Sequence, residues 1–222
     1  MLENGVVDNG DDCVSIVPVG EFIDNGDFCY ADPGNIKCRG GHAVIRNFTC
    51  NGGHGLSIGG IRHGTVTNVT FSNITATGGQ AGSTQDEAAG GGCRVKSRPN
   101  STGTVSNIRY EDMIFKRVYW PLQLLGHYCP FPCHSPDGPR STLFTNISFE
   151  RVRGSSSRHN ILPGSTTIVS QFKCTAYTPC TNITLRQVTL TDKVGHPGQL
   201  DCENVASVSF DNASSPSSCS SE

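Results

Sequence analysis

Two adjacent carboxylates near the start of the chain are the first residues whose types could support chemistry. The segment Asn9-Gly10-Asp11-Asp12 places a turn dipeptide directly before the pair. Adjacent residues on a regular strand point to opposite faces, so both carboxylates reach one cleft only if the backbone bends, as Asn-Gly permits. Two carboxylates at one site can differ in pKa and act as proton donor and base. The alternative is a solvated acidic turn.

A histidine flanked by glycines follows in residues 50–59, in the segment Gly53-His54-Gly55. The glycines allow a ligand to approach the backbone and leave the imidazole uncovered, although an exposed turn histidine would have the same sequence. Cys38 and His42 repeat the spacing of Cys50 and His54, which raises the alternative of a zinc site. Zinc fingers usually pair Cys with Cys and His with His at short spacing, so we expect no metal here.

Arg94 and Lys96 are two cations separated by one residue, and on a strand they share a face. That arrangement can bind an anionic group from one side, whereas the alternative is a solvated basic face. The glycine-rich residues 78–82 and 90–92 are not followed by Lys-Ser/Thr, so they do not indicate a phosphate-binding loop.

A repeat indicates which elements position these residues. Four segments, at residues 68–74, 107–113, 146–152 and 182–188, begin with Asn and then alternate apolar and polar residues, as half-buried strands do. The Asn suits a bend or a stack on its equivalents in neighbouring coils. The period is too long for leucine-rich repeats. We therefore predict an all-β fold, a single-stranded parallel β-helix, with a β-sandwich as the alternative.

Composition narrows the function. A length of 222 residues suits one domain, and a net charge of −2 gives no basic field for nucleic acid. No apolar run is long enough to cross a membrane. Eleven cysteines and seven glycosylation sequons favour secretion, although the first residues lack a signal peptide. We therefore expect a secreted, extracellular protein whose N-terminus lies further upstream.

Taken in order, Asn-Gly-Asp-Asp-Cys, Gly-Gly-His-Gly-Leu-Ser-Ile-Gly and Arg-Val-Lys resemble the motifs of the polygalacturonases of glycoside hydrolase family 28. The resemblance implies a right-handed parallel β-helix that forms a single domain over residues 1–222. Residues 1–100 would be the motif-bearing coils, and residues 101–222 the C-terminal coils with a cysteine-rich tail. It also implies a monomeric hydrolase of α-1,4-galacturonosyl links in pectin, acting with inversion and without a cofactor or metal.

The resemblance assigns a role to each catalytic candidate. Asp11 is similar to the general acid that protonates the glycosidic oxygen, and Asp12 to part of the base that activates water. An inverting hydrolase needs two such carboxyls about 6.5 to 9.5 Å apart, so that a water fits. His54 is similar to a histidine that sustains the protonation of the acid.

The same resemblance makes Arg94 and Lys96 ligands of galacturonate carboxylates, a task suited to their charge, and Tyr128 a residue of a sugar subsite. It further implies a disulfide between Cys13 and Cys50. Spacing alone suggests the other pairs and leaves Cys93 unpaired: Cys29 with Cys38, Cys129 with Cys133, Cys174 with Cys180, and Cys202 with Cys219.

The chain departs from the family in one respect. The family has a third aspartate, in an Asn-Thr-Asp motif on the preceding coil, and only ten residues precede Asp11 here. An N-terminally truncated member with impaired activity is therefore expected. The alternatives are an inactive carbohydrate-binding β-helix, a rhamnogalacturonan or xylogalacturonan hydrolase, and a metal-dependent polysaccharide lyase on the same fold.

Overall fold

The computed structural model describes residues 1–18, 29–32, 35–39, 42–78, 91–129, 140–158 and 166–220, and the side chains of residues 29–39 are not among the parts described. Every regular element in these ranges is a β-strand. The strands are β1 (Leu2–Asp8), β2 (Asp12–Val17), β3 (Cys29–Asp32), β4 (Asn35–Arg39), β5 (Val44–Asn51), β6 (Gly55–Thr77), β7 (Gly91–Val118), β8 (Trp120–Leu125), β9 (Leu143–Ser156), β10 (Ile168–Lys173), β11 (Thr181–Arg186), β12 (Thr189–Thr191), β13 (Gln199–Glu203), β14 (Val208–Phe210) and β15 (Cys219–Ser220).

The strands stack as the coils of a right-handed parallel β-helix, as the repeat and the resemblance predicted. β2, β6, β7, β8, β10, β13 and β15 pair in parallel along one face of the solenoid. The long strands β6 and β7 turn corners, so their later residues pair with β5 and β9 on a second face. Only β3 and β4 form an antiparallel ladder among the named strands.

The four repeats align in register across these ladders. Val69 pairs with Ile108, Ile108 with Ile147, and Ile147 with Ile183, all of them buried. Inside the solenoid, the rings of Phe71, Tyr110, Phe149 and Phe172 stack in series, with centroid distances of 4.8, 5.4 and 5.7 Å. Stacked rings of adjacent coils bury large apolar areas and hold the register of the ladder.

The first Asn of each repeat turns a corner, and those of the last three repeats also bond to one another. Asn68, Asn107, Asn146 and Asn182 have φ values of 56°, 56°, 52° and 53°, in the left-handed region that Asn tolerates better than most residues. The side-chain nitrogen of Asn146 donates to the Oδ1 of Asn107, and that of Asn182 to the Oδ1 of Asn146 at 3.2 Å. Both functions predicted for this residue therefore occur.

Three disulfides tie the described coils together: Cys13–Cys50, Cys174–Cys180 and Cys202–Cys219. The first is the bond implied by the resemblance, and because it consumes the Cys50 thiol it makes the alternative zinc site wrong. Cys93 is buried and carries a free thiol, as predicted. Cys129 is disulfide-bonded, and its predicted partner Cys133 lies outside the described residues, as do the side chains of the predicted pair Cys29 and Cys38.

Candidate active site

Asp11 and Asp12 lie at the start of β2, where the chain bends. The side-chain amide of Asn9 donates to the backbone oxygen of Asp12 at 3.1 Å, which closes the turn around Gly10. A register shift follows between Asp12 and Val14. The bend expected from Asn9-Gly10 is therefore present, and it places the two carboxylates in one region with different exposure. The Asp11 side chain is 68% exposed and that of Asp12 only 8%.

His54 reaches the pair from the next coil. Its backbone nitrogen donates to the Asp11 carbonyl at 2.9 Å, and its Nδ1 lies 3.1 Å from Asp11 Oδ1. Gly53 makes this approach possible, because it has a φ of +64° and a Cβ there would overlap the Asp11 carbonyl oxygen. The Cys13–Cys50 disulfide joins the two coils just beside the contact.

The surroundings of Asp11 favour its ionised form. Partial burial raises the pKa of Asp11, but the Asp12 backbone N–H at 2.7 Å and the nearby His54 together lower that pKa below its usual value of 3.8. Donors that contact a carboxylate stabilise its charge. His54 thus contributes to lowering this pKa, and the protonating role that the resemblance implied for it stays a prediction.

Asp12 is held by a buried ion pair. Lys96 Nζ lies 2.9 Å from Asp12 Oδ2 and 3.2 Å from Oδ1, and the Ser57 hydroxyl donates to Oδ1. Burial and the positive charge of Arg94 lower the pKa of Lys96 below its usual value, although Asp12 and Asp11 act in the opposite direction. The lysine thus contacts the aspartate, and the role of substrate ligand implied by the resemblance stays a prediction.

Three cations surround Tyr128 next to this pair. The centroid of the Tyr128 ring lies 4.9 Å from the Arg94 guanidinium carbon, 5.1 Å from Lys96 Nζ and 5.6 Å from the Arg98 guanidinium carbon. The Tyr128 backbone nitrogen donates to the Ser97 carbonyl at 2.7 Å, which fixes the ring over β7. A cation close to an aromatic ring is attracted by the ring quadrupole, which favours this clustering. The site therefore brings Tyr128 together with Arg94 and Lys96.

Sequence reasoning missed Ser57 and Arg98. Arg98 continues the alternation of Arg94 and Lys96 along one strand face, so the pattern Arg-x-Lys-x-Arg could have identified it. Ser57 carried a weaker signal, as the single polar residue between Leu56 and Ile58 in a buried strand.

A row of polar residues extends from this cluster across the sheet. Its members occupy the same register position on successive strands: Ser15, Ser57, Arg94, Gln123, Gln171 and Asp201. A cavity of about 620 Å³ runs along it from Arg94 and Tyr128 towards the C-terminal coils. An extended groove of this kind suits a polymer better than a small molecule, and we call it the sheet groove.

Asp11, Asp12 and His54 each offer a donor atom within 4.8 Å of the others, so a metal ion is one occupant to consider. Lys96 and Ser57 already bind the Asp12 oxygens, and the ammonium group repels a second cation. The donor set therefore fits a metal poorly. In the described ranges, no helix is long and apolar enough to span a membrane.

Comparison with known proteins supports the family resemblance over nearly the whole chain. Residues 1–219 match the model of the family described as glycosyl hydrolases family 28. The chain is 28% identical to a polygalacturonase of Gossypium barbadense over 85% of its own length and 42% of the relative. It is 26% identical to polygalacturonase QRT2 of Arabidopsis thaliana, over 92% of its length and 39% of the relative.

A third relative, an exopolygalacturonase of Platanus acerifolia, is 28% identical over 92% of the chain and 46% of its own length. The chain thus spans less than half the length of these relatives. The family match, the stacked coils and the three motifs agree, and the chain belongs to glycosyl hydrolase family 28.

Proposed function

We propose that this chain carries catalytic and substrate-binding residues of a secreted polygalacturonase-like hydrolase that cleaves α-1,4-galacturonosyl links in pectin by acid/base catalysis with inversion. One observation carries the proposal: Asp11, Asp12 and His54 offer donor atoms within 4.8 Å of one another, beside the three cations that surround Tyr128. The relatives named polygalacturonase support the substrate class.

Asp11 is the proposed general acid. Its exposed carboxyl beside His54 can reach the oxygen of a bound glycosidic link. Its lowered pKa means that few molecules carry the proton at neutral pH. A polygalacturonate chain bound over Asp11 displaces water and brings negative charge close, and both effects raise the pKa of a carboxyl. Substrate binding and an acidic medium together supply the protonated acid.

Asp12 is the proposed positioning carboxylate for the attacking water. The ion pair with Lys96 and the hydroxyl of Ser57 fix its orientation, so it needs no reorganisation when the reaction begins. Oxygens of Asp11 and Asp12 lie within 4.8 Å, whereas inverting pairs usually stand about 6.5 to 9.5 Å apart. Inversion is therefore supported by the family resemblance and not by this separation.

Arg94, Arg98 and Tyr128 are the proposed binding surface for galacturonate. Arg guanidinium groups bind carboxylates through two parallel hydrogen bonds, and an aromatic ring packs against the apolar face of a sugar. Three disulfides support an oxidising destination such as the cell exterior.

A pectin-binding protein without catalysis is a second candidate, and two observations favour it. The pKa of Asp11 is lowered, although an acid catalyst must be protonated. Both oxygens of Asp12 already contact Lys96, and one of them also contacts Ser57. These features leave the cations of the groove intact while weakening the acid/base pair.

The test measures hydrolysis and binding on the same preparation of this chain. Polygalacturonate is incubated at acidic pH, the anomer of the first product is followed by NMR, and affinity for oligogalacturonides is measured by calorimetry. Release of product with inverted anomeric configuration supports the hydrolase. Binding without release supports the second candidate, and the absence of both contradicts the two proposals. An unsaturated product that depends on a divalent ion would indicate a lyase instead.

A further inference from the structure

The sheet groove changes its charge balance on the C-terminal side of Arg94. Lys173 Nζ lies 2.6 Å from Asp201 Oδ2 and 3.6 Å from Glu203 Oε2, so one cation faces two carboxylates. Lys173 and Glu203 are directly opposite in the β10–β13 ladder, and Asp201 is opposite Gln171. Burial lowers the pKa of Lys173, but the two carboxylates raise it above its usual value overall, which keeps the lysine charged. Among the described residues, Lys173 therefore offers no surplus positive charge with which to bind a carboxylate.

Among the described residues, the rest of the lining in this region consists of amide, hydroxyl, aromatic and apolar side chains together with the imidazole of His127. The amides of Gln123 and Gln171 and the rings of Trp120 and Tyr177 line the cavity. Arg158 lies 3.8 Å from the Trp120 ring centroid, which fixes the orientation of the indole. Amide groups bind hydroxyls, and aromatic rings pack on apolar faces, so the lining matches an uncharged sugar ring.

The spacing of the strands determines which residues face successive sugar units of a bound chain. Neighbouring strands are about 4.8 Å apart, so Gln123 lies one strand beyond Arg94 and Gln171 one strand beyond Gln123. A sugar chain that crosses the strands advances by about one monosaccharide per strand. A unit bound by Arg94 is therefore followed by units facing first Gln123 and then Gln171 with Lys173.

Given the proposed function, we infer that the groove is divided by charge: the part around Arg94, Arg98 and Tyr128 binds free galacturonate, and the C-terminal part around Gln123, Gln171 and Lys173 binds an uncharged sugar unit. Methyl-esterified galacturonate and a neutral hexose share the required chemistry. The preferred substrate is thus a pectic chain with an uncharged unit beside a charged one. Asp201 and Glu203 are the specificity-determining residues, because they cancel the charge of Lys173.

Binding to three oligosaccharides of equal length tests the inference by calorimetry on the whole chain. The probes are an unesterified oligogalacturonide, a partly methyl-esterified one, and an oligomer in which galacturonate alternates with rhamnose. Glu203→Gln removes an exposed charge and is expected to keep the fold. Glu203→Gln should bind the unesterified probe about threefold more tightly, and the double variant Asp201→Asn/Glu203→Gln about tenfold more tightly. The affinity of both variants for the other two probes should change little. Lys173→Met should weaken the unesterified probe selectively.

Glu111→Gln is the matched control, because Glu111 pairs with Arg109 and Arg151 outside the groove. It should leave all three affinities unchanged. Equal effects of Glu203→Gln on all probes, or no effect on any, would overturn the inference while the proposed function stands. Failure of the unaltered chain to bind any probe would overturn both. Of the two uncharged units, the one whose probe binds the unaltered chain more tightly is the natural occupant.

Discussion

At the scale of single residues, neighbouring aspartates acquire different properties from their surroundings. Asp11 is exposed and contacts His54 and a backbone N–H, whereas Asp12 is buried against Lys96 and Ser57. The different roles proposed for the two carboxyls therefore arise from contacts with the coils that follow, since the two side chains are chemically identical. Each partner can be removed separately.

His54→Ala should move the pH profile of activity. His54 lowers the pKa of Asp11 by its charge and hydrogen bond, so its removal raises that pKa. The alkaline limb of kcat/KM reports the pKa of the free acid, and the limb should move to higher pH. Profiles of the variant are compared with those of His63→Ala, whose imidazole contacts Thr102 instead. A limb that stays in place or moves to lower pH would contradict the role assigned to His54.

Lys96→Met should destabilise the fold strongly, because it leaves the buried Asp12 carboxylate without its cation. Breaking a buried pair in this way costs about 3 to 5 kcal/mol of unfolding free energy. Urea denaturation measures the loss. Asp12→Asn/Lys96→Met should recover much of it, and Arg151→Met, which breaks a surface pair with Asp112, should cost little. A double variant as unstable as the single one would refute the pairing argument.

At the scale of the strands, the corners of the solenoid and the register of its ladders position the side chains of the candidate site. The long strands β6 and β7 carry the histidine turn and the cations, and their ladder fixes Ser57 opposite Arg94. The corners depend on Asn residues with positive φ, which bond to each other between coils. A defect at one corner is therefore transmitted to its neighbours.

Asn146→Ala should lower stability because it removes the bonds to Asn107 and Asn182 and puts Ala in the left-handed region. We expect a loss of about 2 to 4 kcal/mol, measured by denaturant unfolding. Asn146→Gly tolerates the backbone and should lose only the part due to hydrogen bonds. Equal losses in the two variants would show that the backbone conformation contributes nothing.

The sequence predicted those features that repeat or lie close together along the chain. The in-register repeats, the Asn corners and the bend at Asn9-Gly10 all occur in the structure, whereas the Cys13–Cys50 bond, which also occurs, was implied by the family resemblance. The ion pair of Lys96 with Asp12 joins residues 84 positions apart, and no spacing rule relates them. The direction in which His54 shifts Asp11 likewise depends on a contact between coils, which a linear pattern does not specify.

At the scale of the whole molecule, one set of ladders connects the acidic pair to the far end of the groove. Disulfides close it at both ends: Cys13–Cys50 beside the acidic pair and Cys202–Cys219 between the last strands β13 and β15. The two bonds offer a matched comparison of local and global effects.

Cys13→Ser/Cys50→Ser should reduce both stability and activity. The bond closes a separation of 37 residues, so its loss costs about 3 to 4 kcal/mol by chain entropy, and it also loosens the contact of Asp11 with His54. Cys202→Ser/Cys219→Ser should reduce stability and leave kcat unchanged. Thermal unfolding and initial rates are measured on both variants. A similar kcat in the two would contradict the proposed effect of the Cys13–Cys50 bond on the active site.

The most direct measurement is reducing-end release from polygalacturonate by the chain and by Asp11→Asn, with Asp112→Asn as the control on another face of the solenoid. If Asp11 is the general acid, its replacement should lower kcat by about a hundredfold or more while oligogalacturonide affinity is retained. The control should match the unaltered chain. Undiminished release by Asp11→Asn would contradict the catalytic role proposed for this carboxyl.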